Sequence, residues 1–364
     1  MSGTFVLAAG GTGGHLFPAQ AVAGELMRRG GRVVVMTDGR GAHYGTSFPG
    51  AEITTVPAAT FVGRSPLRWA AAAARILAGI AASFRKLRQI RPQAVIGFGG
   101  YPSLPVMVAA WLARIPNALH EQNAVLGRVN RLLAPLTGTI VASFPFARNA
   151  PKNLKRVTFT GNPVRAEVRA LAGGPYVPPA ADGPVRLLIF GGSQGAQALS
   201  EIVPAALSQL SRDLRERLEV AQQCRPDDTE HVKARYIAEG IKAEVANFFS
   251  DLPRRMAAAH LVISRSGAST LGELTAIGRP AILIPYPFAM DDHQTANAEM
   301  LATANAAWLV RQSNLDATSF AKMLEAVLSD PAVLAERAAN AAALGRPDAA
   351  ARLADIVESL GAGR

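Results

Sequence analysis

The stretch Gly10-Gly11-Thr12-Gly13-Gly14-His15 constrains this chain more than any other. It follows an apolar run, Thr4 to Ala9, that reads as a buried strand. It precedes Ala19 to Arg29, whose apolar residues recur at helical spacing. The chain therefore passes from strand to helix through glycines, which take positive φ and let a ligand reach the main chain. A helix start offers N–H donors and a positive dipole end, suited to a phosphate or a sugar oxygen. The device recurs. Gly97-Phe98-Gly99-Gly100-Tyr101-Pro102-Ser103 follows the strand-like Ala94 to Ile96, and Gly191-Gly192-Ser193-Gln194-Gly195-Ala196 follows Val185 to Phe190. Two glycine turns early and one late predict two doubly wound α/β domains facing one ligand.

A length of 364 residues suits two domains, and 49% hydrophobic residues can fill two cores. Strand signals in the first half are Phe5–Ala8, Val33–Met36, Ala94–Ile96, Ala118–His120, Thr139–Ala142 and Val157–Thr160. In the second half they are Leu187–Phe190, Leu218–Ala221, Glu244–Asn247, Leu261–Ser264, Ala281–Pro285 and Ala307–Val310. Helical patterns lie between most of them, so each half predicts a parallel sheet covered by helices. The boundary is expected near Gly161-Asn162-Pro163. That places an N-terminal domain at 1–162 and a C-terminal one at 163–346, with helix 347–364 packing back on the first. The stretch from Asp316 to Leu360 reads as helical, broken at Gly345-Arg346-Pro347. The single cysteine, Cys224, excludes an internal disulfide and fits a reducing compartment. The first basic residue is Arg28, so no signal peptide is read. Pro92 to Ala113 is free of charge but holds Pro102, Pro105 and glycines, so it reads as strand, loop and helix. A soluble or peripheral protein is expected.

Charge is distributed unevenly. Residues 1–166 hold 19 Lys and Arg against four acids, Glu25, Asp38, Glu52 and Glu121; the rest hold 19 against 23. A cationic half calls for an anionic partner or is a solvated surface. No RNA-binding signature or stacking-aromatic motif accompanies it, which disfavours nucleic acid. Thr60 to Arg91 instead interleaves Phe61, Leu67, Trp69, Ile76, Leu77, Ile80 and Phe84 with Arg64, Arg68, Arg75, Arg85, Lys86, Arg88 and Arg91. An apolar face with aromatics and only basic charges suits an anionic bilayer surface. The competing reading, a crossover helix packed on the sheet, is expected to hold for its Ala-rich half.

The first glycine turn is neither a dinucleotide fingerprint, since Leu16 stands where the third glycine belongs, nor a Walker A loop. His15 at its end is a candidate proton acceptor near neutral pH, or a histidine bonded to a loop carbonyl. His120-Glu121-Gln122-Asn123 follows a strand; Glu121 is a catalytic or binding carboxylate, or an arginine's buried partner. Asn123 can both donate to and accept from a sugar hydroxyl or acetamido group. Ser264 to Glu273 again runs from strand to helix, and Glu273 can accept two vicinal hydroxyls such as a ribose offers. Asp291-Asp292-His293 cannot all face one ion on regular structure, so Asp291 to Asn297 reads as a loop for sugar hydroxyls rather than a metal site.

Taken together, GGTGGH (10–15), GYPS (100–103), HEQN (120–123), GNPVR (161–165), GGSQGA (191–196), SRSGASTLGE (264–273) and HQTANA (293–298) resemble the lipid I N-acetylglucosaminyltransferases of bacterial peptidoglycan synthesis, the MurG type. The set spans most of the chain and is specific as a set. The resemblance implies two Rossmann-like domains of the GT-B kind facing a cleft, with the donor held mainly by the C-terminal domain. It implies transfer of N-acetylglucosamine (GlcNAc) from UDP-GlcNAc to the C4 hydroxyl of undecaprenyl-pyrophosphoryl-N-acetylmuramyl (MurNAc)-pentapeptide, lipid I, with inversion to give lipid II. It also implies a peripheral place on the cytoplasmic face of the inner membrane, and leaves the cell-wall and division machinery open as protein partners.

Carried onto this sequence, Thr12, Gly13 and Gly14 would lie beside the donor sugar and diphosphates. Asn123 would contact the GlcNAc, and Arg165 and Ser193 would face the nucleotide diphosphate. Phe249 stands where the family offers main-chain groups to uracil. Ala268, Ser269, Thr270 and Leu271, with Gly272, would supply helix-start amides to the phosphates; Glu273 would hold the ribose and Gln294 the GlcNAc hydroxyls. His293 fills a place that is Gln in some relatives. The base is His15 first and Glu121 second. Helix termini can receive the leaving diphosphate, so neither a metal nor a cofactor is expected. The alternatives are a UDP-GlcNAc 2-epimerase or another GT-B sugar-nucleotide enzyme, a nicotinamide oxidoreductase, and a membrane-binding scaffold.

Overall fold

The computed structural model describes residues 3–10, 13–39, 48–60, 65–146, 148–151, 153–192 and 196–362. Thr12, Ser193 and Phe61 lie outside them. The chain divides into two compact units, 1–165 with 346–364, and 166–345. The first thus runs through Arg165 rather than ending at Asn162.

The first unit is built on a parallel sheet of β1 (Thr4–Ala8), β2 (Arg32–Thr37), β3 (Glu52–Thr55), β4 (Ala94–Gly97), β5 (Asn117–Glu121), β6 (Thr139–Ala142) and β7 (Val157–Phe159). Their order is β3-β2-β1-β4-β5-β6-β7, with Phe5 of β1 facing Val33 on one side and Ala94 on the other. The order reverses between β1 and β4, and the crevice at such a switch point is where doubly wound sheets bind ligands. Strand β1 is buried on both faces, as a central parallel strand must be. Phe5 and Leu7 pack with Leu16, Val22 and Leu26 of helix α1 (Gly13–Arg28), while Val6 and Ala8 face Met36, Val106 and Met107. Leu353, Ala354 and Val357 of the C-terminal helix Ala349–Ala362 complete the α1 side. Arg29 pins that helix through Asp355 (2.6 Å) and Glu358 (2.7 Å), and also binds buried Glu25 (2.9 Å).

Two expectations need correction here. Strand β3 has no counterpart in the sequence reading: Glu52-Ile53-Thr54-Thr55 is a short, half-exposed edge without the apolar run that marks the inner strands. Helix α1 starts at Gly13, six residues before the apolar periodicity, with Pro18 inside it; glycines carry no side-chain signal for a helix start.

Helix α2 (Pro66–Ile90) begins on Ser65 with Pro66 in its first turn and ends on Arg91 in the left-handed conformation. Only Ala72, Gly79, Ser83 and Leu87 are buried, a single seam at helical spacing. Gly79 lets the helix approach the chain closely: a methyl there would stand 2.0 Å from the Pro57 carbonyl oxygen. The Ala-rich half is the crossover helix between β3 and β4 and packs this face inward, with Ile80 and Phe84 also against the core, as the competing reading expects. Leu67 (83% exposed), Trp69 (50%) and Leu77 (65%) face outward. By length and a mean hydropathy of 1.3, α2 is the one described helix long and apolar enough to cross a membrane.

The second unit carries β8 (Val185–Phe190), β9 (Leu218–Gln223), β10 (Lys242–Ala246), β11 (Leu261–Ser264), β12 (Ala281–Leu283) and β13 (Ala307–Leu309), all parallel, in the order β10-β9-β8-β11-β12-β13. Its switch point lies between β8 and β11. The core joins Leu187, Ile189, Ile263 and Ile282 to Leu199 and Val203 on one side chain layer and to Phe320 and Leu324.

Candidate active site

In the first unit, three chain segments meet at the carboxyl ends of β1, β4 and β5. Helix α3 (Ser103–Leu112) follows β4 through Gly99 and Gly100, whose φ values of +84° and +73° require glycine. A methyl on Gly99 would stand 3.3 Å from Cε1 of His15, and one on Gly100 3.3 Å from Cδ2. The half-buried His15 ring therefore lies along this turn, in the first turn of α1 beside Gly13 and Gly14.

The other ring edge is set by Gln122. Its Nε2 donates to the Phe98 carbonyl (2.9 Å), so its Oε1 is the atom 3.1 Å from His15 Nδ1. An amide oxygen only accepts, so Nδ1 carries a proton, and in the neutral ring Nε2 is the nitrogen with the lone pair. Gln122 Nε2 also reaches Nδ1 of His120 (3.0 Å). His120 is fully buried, and desolvation pushes its pKa down to about 3, so it is neutral and its Nδ1 can accept. Its Nε2 faces Ser143 Oγ at 3.4 Å, and Ser143 donates to Asn162 Oδ1 (3.3 Å). The donors all run in one direction along this chain.

Glu121 ends β5 and is 1% exposed. Oε1 accepts from the Asn123 backbone N–H (3.1 Å) and side-chain amide (3.2 Å). Oε2 accepts from Gly127 N–H (2.9 Å) and the Asn130 amide (2.8 Å). Asn130 lies on α4 (Arg128–Leu133). The carboxylate thus fixes Asn123 and the start of α4, with both oxygens engaged. Arg165 also reaches α1, its guanidinium 5.2 Å from the centre of the Phe17 ring. His120, Gln122 and Asn130 were missed as functional residues; two of them stand inside the quoted HEQN stretch, but no spacing rule separates a buried relay from a ligand contact.

In the second unit, helix α6 (Ala268–Ile277) follows β11. (Helix α5, Gln197–Leu207, packs on the sheet through Leu199 and Val203.) Its N-cap is Gly267, which has no side chain to satisfy the first amides, and Ala268 to Leu271 form its first turn. The Ser269 hydroxyl is enclosed in protein and has no hydrogen-bond partner among the described residues. The N–H groups of a helix start suit an oxygen-rich anion. Gly272 and Glu273 are buried on the same helix. The Ser266 hydroxyl donates to the Gln294 carbonyl (2.8 Å), and the Asn297 amide donates to Ser266 O (3.1 Å). These bonds tie α6 to α7 (His293–Thr303). Gln294 Oε1 accepts from Tyr286 N–H (2.9 Å). His293 Nδ1 donates to Met290 O (2.8 Å). The Phe249 ring is buried under Arg255, 4.2 Å from its guanidinium, so this residue can offer only main-chain groups to a base. Among the described residues no group of three or more His, Cys, Asp and Glu is placed to hold a metal.

Two Rossmann-like parallel-sheet domains, each opening a helix through glycine at the end of a strand, place the chain in the GT-B class of fold. Residues 5–141 match the glycosyltransferase family 28 N-terminal domain and residues 186–353 its C-terminal domain. Over 355 residues, 97% of this chain and 96% of the relative, it is 50% identical to the UDP-N-acetylglucosamine–N-acetylmuramyl-(pentapeptide) pyrophosphoryl-undecaprenol N-acetylglucosamine transferase of Paramagnetospirillum magneticum. The crystal structure of Acinetobacter baumannii MurG aligns with a TM-score of 0.80 at 31% identity, covering 98% of this chain and 99% of that one. The chain belongs to this transferase family. A UDP-N-acetylglucosamine 2-epimerase aligns with a TM-score of 0.66 over 100% of this chain and 98% of its own, but at 12% identity, which is a likeness of fold alone and does not favour the epimerase alternative.

Proposed function

We infer that this protein transfers GlcNAc from UDP-GlcNAc to the C4 hydroxyl of lipid I, forming lipid II and UDP. The observation that carries the chemistry is the His15 tautomer, with Nδ1–H donated to Gln122 and Nε2 left basic beside the glycine turn. Nε2 takes the proton of the C4 hydroxyl as its oxygen attacks the anomeric carbon of GlcNAc. The bond from that carbon to the UDP oxygen breaks on the opposite face, so the configuration inverts. Charge gathers on the departing diphosphate, and the α6 amides with the Ser269 hydroxyl are donors already in place for it. Glu273 on the same helix holds the ribose hydroxyls, Gln294 and Asn123 the GlcNAc, and Phe249 the uracil through its main chain. Glu121 positions Asn123 and is not the base. Arg165, Gly13, Gly14 and, outside the described residues, Thr12 and Ser193 serve the diphosphate side.

The substrate chain is an undecaprenyl lipid, so the protein works at a bilayer. Exposed Leu67, Trp69 and Leu77 beside Arg68 and Arg75 on α2 support docking on an anionic surface. The seam of α2 packed on its own unit supports a helix lying at the interface rather than spanning it. The test is turnover of labelled UDP-GlcNAc with a soluble lipid I analogue, in EDTA. Formation of the β-1,4-linked disaccharide product is expected. Epimerised or merely hydrolysed donor, or activity restored only by Mg²⁺, would overturn the reading.

A further inference from the structure

The first unit holds a cavity of about 390 Å³ that none of these steps uses. Its walls include Asp38 after β2, Val56, Ala59 and Thr60 after β3, Arg75 on α2 and Tyr101 after the Gly99–Gly100 turn. Tyr101 directly follows the glycine that lies against the His15 ring, so the cavity begins one residue from the base. Arg75 in its lining belongs to α2, which also carries the exposed Leu67, Trp69 and Leu77. The cavity therefore lies between the reacting centre and the lipid-facing helix.

Its chemistry selects among the parts of a lipid-linked sugar. The Tyr101 hydroxyl donates to Asp38, which fixes a largely buried carboxylate in the wall. A carboxylate has about four acceptor sites, so it can take sugar O–H or acetamido N–H groups besides Tyr101, while repelling phosphate. Val56 and Ala59 offer an apolar surface to a ring. Arg75 is exposed and makes no hydrogen bond or ion pair among the described residues. The volume stands at the low end for small-molecule pockets, about 300–1,000 Å³, which fits one saccharide and not a peptide or a polyprenyl chain.

We propose that this cavity is the subsite for the N-acetylmuramyl ring of the acceptor, with Asp38 and Tyr101 on its polar substituents and Arg75 at the mouth, against the anomeric phosphate. The ring then has its C4 hydroxyl toward His15 and its lipid-bearing end toward α2. This rests on the transferase reading above and specifies the acceptor side of that site.

The test uses the full chain, saturating UDP-GlcNAc and two soluble acceptors. One carries the diphosphate; the other replaces it with an uncharged linker. D38N and Y101F are expected to raise KM for both acceptors by about tenfold, the scale of one hydrogen bond to a charged group, with KM for UDP-GlcNAc unchanged. R75Q, at an exposed position without partners among the described residues, is expected to raise KM only for the diphosphate acceptor, by about fivefold. Melting temperatures and UDP calorimetry identify a misfolded D38N, in which case Y101F and R75Q decide. Unchanged acceptor KM in the folded variants, or equal loss of donor and acceptor affinity, would overturn the subsite while leaving the transferase reading intact. A wild-type protein that transfers GlcNAc to neither acceptor would instead overturn the transferase reading on which it rests.

Discussion

Replacing Glu121 with glutamine separates a structural carboxylate from a catalytic one. The carboxylate accepts four hydrogen bonds, two on each oxygen, at 2.8–3.2 Å. Glutamine keeps the shape but turns one oxygen into an NH₂ group. Whichever side that group takes, it meets two N–H donors, and both lose their acceptor. A buried donor left unsatisfied costs about 1–3 kcal/mol, so the pair costs about 2–6 kcal/mol. For a domain of this size each kcal/mol lowers Tm by about 2–4 °C, so a fall of about 10 °C is expected. Loosening Asn123 should raise KM for the donor. The acidic limb of the pH–kcat profile should remain, because His15 and Gln122 are untouched. His15→Ala should behave in the opposite way: one hydrogen bond lost, about 1 kcal/mol, yet kcat lower by about 10²–10⁴-fold and the acidic limb gone. The assay is kcat against pH with saturating UDP-GlcNAc and a soluble lipid I analogue, paired with thermal unfolding. An E121Q protein that melts like the wild type but has lost its acidic limb would refute the reasoning, as would near-normal kcat in H15A.

Further outcomes are expected elsewhere. Ser269→Ala removes a buried hydroxyl without a partner among the described residues, so unliganded Tm should not fall, while calorimetry should show UDP binding weaker by about tenfold; the reverse pattern would take Ser269 out of the site. Glu25 is held at a pKa of about 2, first by its hydrogen bond to Arg28 and then by Arg29, against burial. Its folded pKa lies below its ordinary 4.5, so its contribution is present above that value and is lost as pH falls toward 2. Denaturant unfolding across this window should therefore be less pH-dependent in E25Q than in the wild type, and an unchanged slope would contradict the pairing. Sedimentation with vesicles should show binding that favours anionic lipid and weakens with salt. L67S/W69S should bind less while keeping its affinity for UDP-GlcNAc, and salt-insensitive binding to neutral vesicles would remove α2 from this role.

The sequence alone determined the alternation of strands and helices, because inner parallel strands are buried on both faces and read as apolar runs such as Val185 to Phe190. It also marked the glycine turns, since a strand-to-helix crossing near a ligand leaves few other residues possible at Gly99 and Gly100. It did not disclose β3, whose edge position demands no apolar run, or the start of α1 among glycines. It read α2 as a bilayer face or a crossover helix; the packing makes it a crossover helix with one face on the core and leaves Leu67, Trp69 and Leu77 exposed on the other. At the site, residue types ranked His15 before Glu121 as the base but left both as candidates. Their surroundings in the tertiary structure differ. Hydrogen bonds between residues as distant as His15 and Gln122 decide which imidazole nitrogen is basic, and four donors around Glu121 decide that its oxygens are already occupied. Such direction belongs to donors and acceptors in space, and a linear pattern of residue types does not carry it.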